Sequence, residues 1–190
     1  MLKTYNYVNG TVRIIIDEVA MDNDMKIHTC KGISKPKDVS RCELPTSLGL
    51  EVSLHRGGRI CYGLLQASIK PKDIVDAIEI SVDYTKKNTI RFCDSILTND
   101  NYVYKGLPEQ YLGAVMDGAI MAINEKEIFP IYGISFDHAA NCEVGSSQMF
   151  FKMISESIIE LISMTTSSNI NDSVLKPYLG FLEGKFGLKC

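Results

Sequence analysis

The chain has no tryptophan, only three histidines, and six cysteines that never stand as a C-x-x-C pair. Cys30, Cys42, Cys61, Cys93, Cys142 and Cys190 are scattered singly, so free thiols are expected rather than a disulfide framework. His28, Cys30, Cys42, His55 and Cys61 can be drawn as a metal set, but their spacing matches no zinc pattern and no metal is expected. Long apolar runs are also missing. The stretches around Ile14-Ile15-Ile16 and Ile158-Ile159 are too short to cross a bilayer. The first residues carry Lys3 without an apolar block behind it, unlike a secretory signal. A cytoplasmic protein without a membrane partner is expected. Excess positive charge is absent too: 20 Lys and Arg stand against 23 Asp and Glu, a formal net charge of −3. Binding of nucleic acid through overall charge is thereby excluded, and any such contact must be local. Local basic segments exist at His55-Arg56-Gly57-Gly58-Arg59, Lys70-Pro71-Lys72 and Lys86-Lys87. Finally, no G-x-x-x-x-G-K-[ST] loop and no dinucleotide fingerprint occur, so neither a phosphate-cradling loop nor a cofactor is expected.

What is present is a globular composition, 45% apolar and 23% charged, enough for a self-sufficient core at 190 residues. Val12, Ile14 and Ile16 set against Arg13 and Asp17 predict a strand over 11–19. Residues 22–46 read as turns with a short strand around Ile27. Leu50, Val52 and Leu54 alternate up to Gly57-Gly58, after which 60–67 resumes; two strands about a glycine turn fit, with a three-residue loop or a bulge equally open. Ala77–Tyr84 alternates cleanly, and 89–97 after it predicts the second arm of an antiparallel hairpin. Pro108 suits a helix start, and the apolar face of Tyr111, Val115, Ala119 and Ala122 carries that helix to about Asn124. Residues 128–136 read as a short buried or bulged strand. Phe150, Ile154, Ile158 and Leu161 predict a second helix from Ser147 to about Ser163, and Met149 among other methionines reads as packing filler. Strands first, then strand and helix in alternation, give an α+β protein.

Two segments carry a resemblance. Residues 105–118, Lys-Gly-Leu-Pro-Glu-Gln-Tyr-Leu-Gly-Ala-Val-Met-Asp-Gly, and residues 142–152, Cys-Glu-Val-Gly-Ser-Ser-Gln-Met-Phe-Phe-Lys, resemble the two helix starts in the fourth domain of translational GTPases of the elongation factor G and ribosomal protection type. Val174 to Phe181 is similar to the passage into that family's fifth domain, and Ala77 to Leu97 to its strand pair. The resemblance spans about residues 77–182 in order, and leaves 1–75 as an unassigned β-rich segment beside a 76–190 unit. It implies a ribosomal protein S5 domain 2-like βαβ sandwich of a sheet with two helices. It also implies a non-catalytic module, without the GTPase domains, that binds the ribosome or another structured RNA through loop tips.

The residues assigned to RNA are His55, Arg56 and Arg59, a local basic segment whose Gly-Gly turn presents its side chains outward, and, as the resemblance implies, His138, Asn141, Cys142, Ser146 and Ser147 before the second helix. The sequence departs from the family where Cys142 stands for a histidine, and where Gly145 and Gln148 replace an acidic capping pair, Gln148 being able to reach back to the cap. A different class stays open: a protein-interaction or oligomerisation scaffold using sheet edges, and hence a homo-oligomer. No nucleophile, carboxylate pair or phosphate loop points to an enzyme.

Overall fold

A computed structural model describes residues 1–18, 27–34, 37–38, 45–71, 77–86, 89–97, 103–127, 129–130, 132–165 and 170–190. The chain runs β1 (Leu2–Tyr7), β2 (Gly10–Ile16), β3 (Ile27–Ser34), β4 (Lys37–Asp38), β5 (Ser47–Arg56), β6 (Arg59–Pro71), β7 (Ala77–Tyr84), β8 (Val103–Lys105), α1 (Glu109–Asn124), β9 (Phe129–Pro130), β10 (Tyr132–Cys142), α2 (Gln148–Thr165) and α3 (Asp172–Phe186). Eight strands form one sheet in the order β1-β2-β5-β6-β10-β7-β3, with β8 added to the far half of β10; β4 and β9 pair separately. It is a mixed α+β fold.

Alternation explains the two sides of this sheet. Val12, Ile14, Leu50, Val52, Leu54, Leu65, Ile80, Val82, Ile134 and Phe136 share one core with Val115, Ala119, Phe151, Ile154 and Ile158 of α1 and α2. The opposite face carries a smaller core of Ile15, Tyr62, Leu64, Ala140 and Cys142, closed by Phe92 and Val103 with Ile96 and Leu97 beside them. At the centre of that face the register sets Arg13 directly opposite Glu51. Glu51 is fully buried and lies 3.1 Å from the Arg13 guanidinium. The Tyr62 hydroxyl donates to Glu51 Oε1 at 2.7 Å and the Ile96 N–H at 3.0 Å, so one carboxylate fastens the 89–97 segment to the sheet. Burial pushes the Glu51 carboxyl up, against the pull of the Ile96 N–H, the Tyr62 hydroxyl and Arg13.

The expected hairpin of 77–84 with 89–97 does not form. Both sides of β7 are taken, by β10 in parallel and by β3 in antiparallel pairing. Residues 89–97 instead meet β8: Phe92 N–H donates to Val103 O at 2.9 Å and Lys105 N–H to Ile90 O at 2.7 Å. Their apolar side chains are needed as a lid on the second face.

Two further differences concern the helices and the last long strand. There are three helices, not two, among the described residues: Val174–Phe181 lies inside α3, which Asn171 caps through Ser173 N–H at 3.0 Å and Gly187 ends in the left-handed region. Pro177 sits inside it, and Tyr178, fully buried, anchors it by donating to Ser157 O of α2 at 2.9 Å. β10 runs on to Cys142 instead of ending near Phe136, with an irregularity in register at Asp137 between Phe136 and His138. The expected break between 75 and 76 falls between β6 and β7, and the sheet is continuous across it because β6 pairs with β10. None of the helices among the described residues is long and apolar enough to cross a membrane.

Candidate nucleic-acid interface

The β5–β6 hairpin turns on Gly57 at φ 54° and Gly58 at φ 78°. Two consecutive positive φ values belong to the tight turn that matches strand twist, and only glycine adopts both without strain. The register then places Arg56 opposite Arg59. Two like charges so placed repel. The conflict is relieved because the Arg56 guanidinium turns away and donates to Phe186 O at the end of α3, where the helix dipole is negative. The Arg59 side chain is exposed, and its guanidinium has no hydrogen-bond or ion-pair partner among the described residues.

The loop before α2 is stapled to the same hairpin. Tyr62 N–H donates to Gly145 O at 3.0 Å, and Ser146 Oγ donates to Tyr62 O at 2.7 Å while accepting from Cys142 N–H at 2.8 Å. From α1 the Tyr111 hydroxyl donates to Ser146 O at 3.1 Å. A Cβ on Gly145 would stand 2.8 Å from Ile60 O, so the approach requires glycine. Between the hairpin and the loop lies a cleft of about 490 Å³ lined by Gly58, Arg59, Ile60, Cys142, Val144 and Gly145.

The residues expected at an RNA surface therefore separate. Arg59 faces the cleft and His55 is exposed on the hairpin beside it. Arg56 is exposed but engaged with α3. Ser147 is exposed and caps α2 through Phe150 N–H at 3.3 Å. Ser146 is the staple described above. Asn141 and Cys142 do not lie in a loop: they are the buried end of β10, and Asn141 Nδ2 donates to Gly106 O at 2.9 Å. His138 stands further back on β10, with Nδ1 2.7 Å from Asp137 Oδ1, away from the cleft. The exposed loop is thus shorter than 138–147, because strand pairing with β8 consumes its first half. The expected cap on Gly145 with Gln148 reaching back is also displaced. Ser147 is the capping residue, and Gln148 Nε2 donates to Gln110 O of α1 at 3.0 Å.

Sequence reasoning missed Val144, 94% exposed at the loop apex, and took Met149, 66% exposed, for filler. An apolar residue between Glu143 and Gly145, off the α2 period, was the available signal. Among the described residues no cluster of His, Cys, Asp and Glu could hold a metal ion; Cys42 and the side chains of His28 and Cys30 lie outside them. Lys72 and Lys87 of the other basic segments also lie outside the described residues. Compared with family models, with curated proteins and with solved structures, the chain matches none.

Proposed function

We propose that the chain is a non-catalytic module that binds structured RNA, the ribosome in the first instance, through the cleft between the β5–β6 hairpin and the loop before α2. The observation that carries this reading is the convergence of two segments far apart in sequence. The glycine turn with Arg59, chosen as a local basic segment, and the segment from Cys142 to Ser147, singled out by the resemblance to the fourth domain of elongation factor G-type GTPases, share one cleft at one end of the sheet. The parallel neighbours β7 and β10, joined through α1, make a βαβ unit of the kind an S5 domain 2-like fold needs, which supports the same reading. On an acidic body, an unpaired arginine with exposed Val144 beside it suits a local contact: the cation for phosphate and the apolar apex for an unstacked base.

Co-sedimentation with ribosomes at low and high salt tests this. Binding is expected at low ionic strength, falling steeply with salt. Arg59→Ala is expected to weaken it and to reduce the slope of log affinity against log salt by about 1, as for loss of one phosphate contact. Arg56→Ala is expected to act elsewhere, lowering stability by about 1 kcal/mol through the lost hydrogen bond to Phe186 O. No binding at low salt, or an Arg59→Ala protein that binds like the parent, sinks the proposal.

A further inference from the structure

The first strand is an end of the sheet, and among the described residues its outer edge is unpaired over Leu2–Asn6. Met1 exchanges backbone hydrogen bonds with Ile16. In an antiparallel pair such exchanges recur at every second residue, so Lys3, Tyr5 and Tyr7 bond to β2 while Leu2, Thr4 and Asn6 aim N–H and C=O outward. The next residue in that phase, Val8, already donates its N–H to Lys189 O at 2.9 Å.

Native sheets guard such edges with proline, a bulge or an unpaired charge. β1 has no proline and pairs with β2 in unbroken register. Its one charged side chain, Lys3, is taken by Asp172 of α3 at 2.9 Å. We infer that β1 is a self-association edge, pairing antiparallel with β1 of a second copy of this chain about a two-fold axis at Thr4.

The register follows from which residues face outward. With Thr4 opposite Thr4 of the second copy, Leu2 meets Asn6 and Asn6 meets Leu2, so every outward N–H and C=O from Leu2 to Asn6 is satisfied. Lys3 then lies across from Tyr5 of the second copy, a cation beside an aromatic ring. Shifting the axis toward the chain start sets Lys3 against Lys3, which repels. Shifting it the other way needs the Val8 N–H that Lys189 occupies. Leu2, half exposed on the face the helices do not cover, is the apolar surface gained. A single short edge buries little area, so the dimer is weak, its population rising through the micromolar range.

Sedimentation of the full chain over a concentration series tests the inference, because Thr4 is exposed and would face its own copy on the axis. The parent is expected to form a two-chain species. Thr4→Lys and Thr4→Glu are each expected to sediment as monomers while remaining folded, with modest shifts in thermal unfolding because residue 4 lies across the strand pair from Arg13, and an equimolar mixture of the two to regain the two-chain species. A parent that stays monomeric into the millimolar range overturns the edge. Charged variants that associate like the parent, or a mixture that stays monomeric, overturn the axis at Thr4.

Discussion

Replacing Arg13 with methionine is expected to lower the unfolding free energy by about 3 kcal/mol at neutral pH, the lower part of the range for breaking a buried ion pair, since Arg13 is itself partly exposed. The cause is what the change leaves behind. Glu51 is fully buried, and Arg13 lies directly across the strand pair from it. Its Oε2 is within ion-pairing distance of Arg13 but receives no well-directed hydrogen bond, and Arg13 Nε has no partner either. The pairing is therefore Coulombic more than geometric, and a methionine in its place offers packing but no charge. The loss should depend on pH. Burial already holds the Glu51 carboxyl above its ordinary value of 4.5. A carboxyl raised in the folded state contributes stability below its unfolded pKa, and that contribution is lost as pH rises through the folded pKa. Without Arg13 the folded pKa climbs further, so the variant should approach the parent in mildly acidic buffer and fall away toward neutrality. Urea unfolding across that pH range reads the effect. Adding Glu51→Gln to Arg13→Met should flatten the pH dependence and recover part of the neutral-pH loss. A variant equally stable at every pH would mean that Glu51 is not charged beneath the 89–97 segment.

That network shows where the sequence was readable and where it was not. Strands β2, β5, β6 and β7 and helices α1 and α2 are written in single-residue-type patterns, alternation or a 3.6-residue stripe, and local chemistry marks their ends: Gly57-Gly58, Pro108, Ser147. The role of 89–97 was not local. Its alternation through Ile90 and Phe92 is that of a strand, yet what decided its place was a carboxylate on β5 and the prior occupation of both β7 edges. α3 hid behind Pro177, which breaks the pattern although the helix runs through it. At the cleft, the turn and the stapling loop were legible as separate segments, and Arg59 was named. Asn141 and Cys142 were misplaced because pairing between β10 and β8 is a long-range fact with no signature in either strand. The division of labour between Arg56 and Arg59 depends on where α3 ends, which no reading of the hairpin alone supplies.

Gly118→Val is expected to cost about 2 to 3 kcal/mol, the upper part of the range for overpacking a close contact, whereas Gly113→Ala on the same helix should stabilise by about 1 kcal/mol. A Cβ at 118 would meet Ser155 Oγ and stand 2.6 Å from Lys152 O of α2, while at 113 it would meet nothing within 4 Å. Ser155 Oγ already donates to Lys152 O, so the α2 groups are held in place and the carbonyl cannot retreat without bending the helix. α1 must then lift from α2, and helix propensity gained at 118 is too small to offset that. The displacement should reach the cleft. Tyr111 on α1 holds Ser146 O, and Gln148 at the start of α2 holds Gln110 O, so the two helices jointly seat the loop that Val144 caps. Chemical denaturation should therefore give opposite signs for the two substitutions, and RNA co-sedimentation should weaken for Gly118→Val under conditions where it is still folded, with Gly113→Ala unchanged. Equal effects of the two would mean that α1 and α2 do not meet at Gly118, and that the loop before α2 is positioned by the sheet alone.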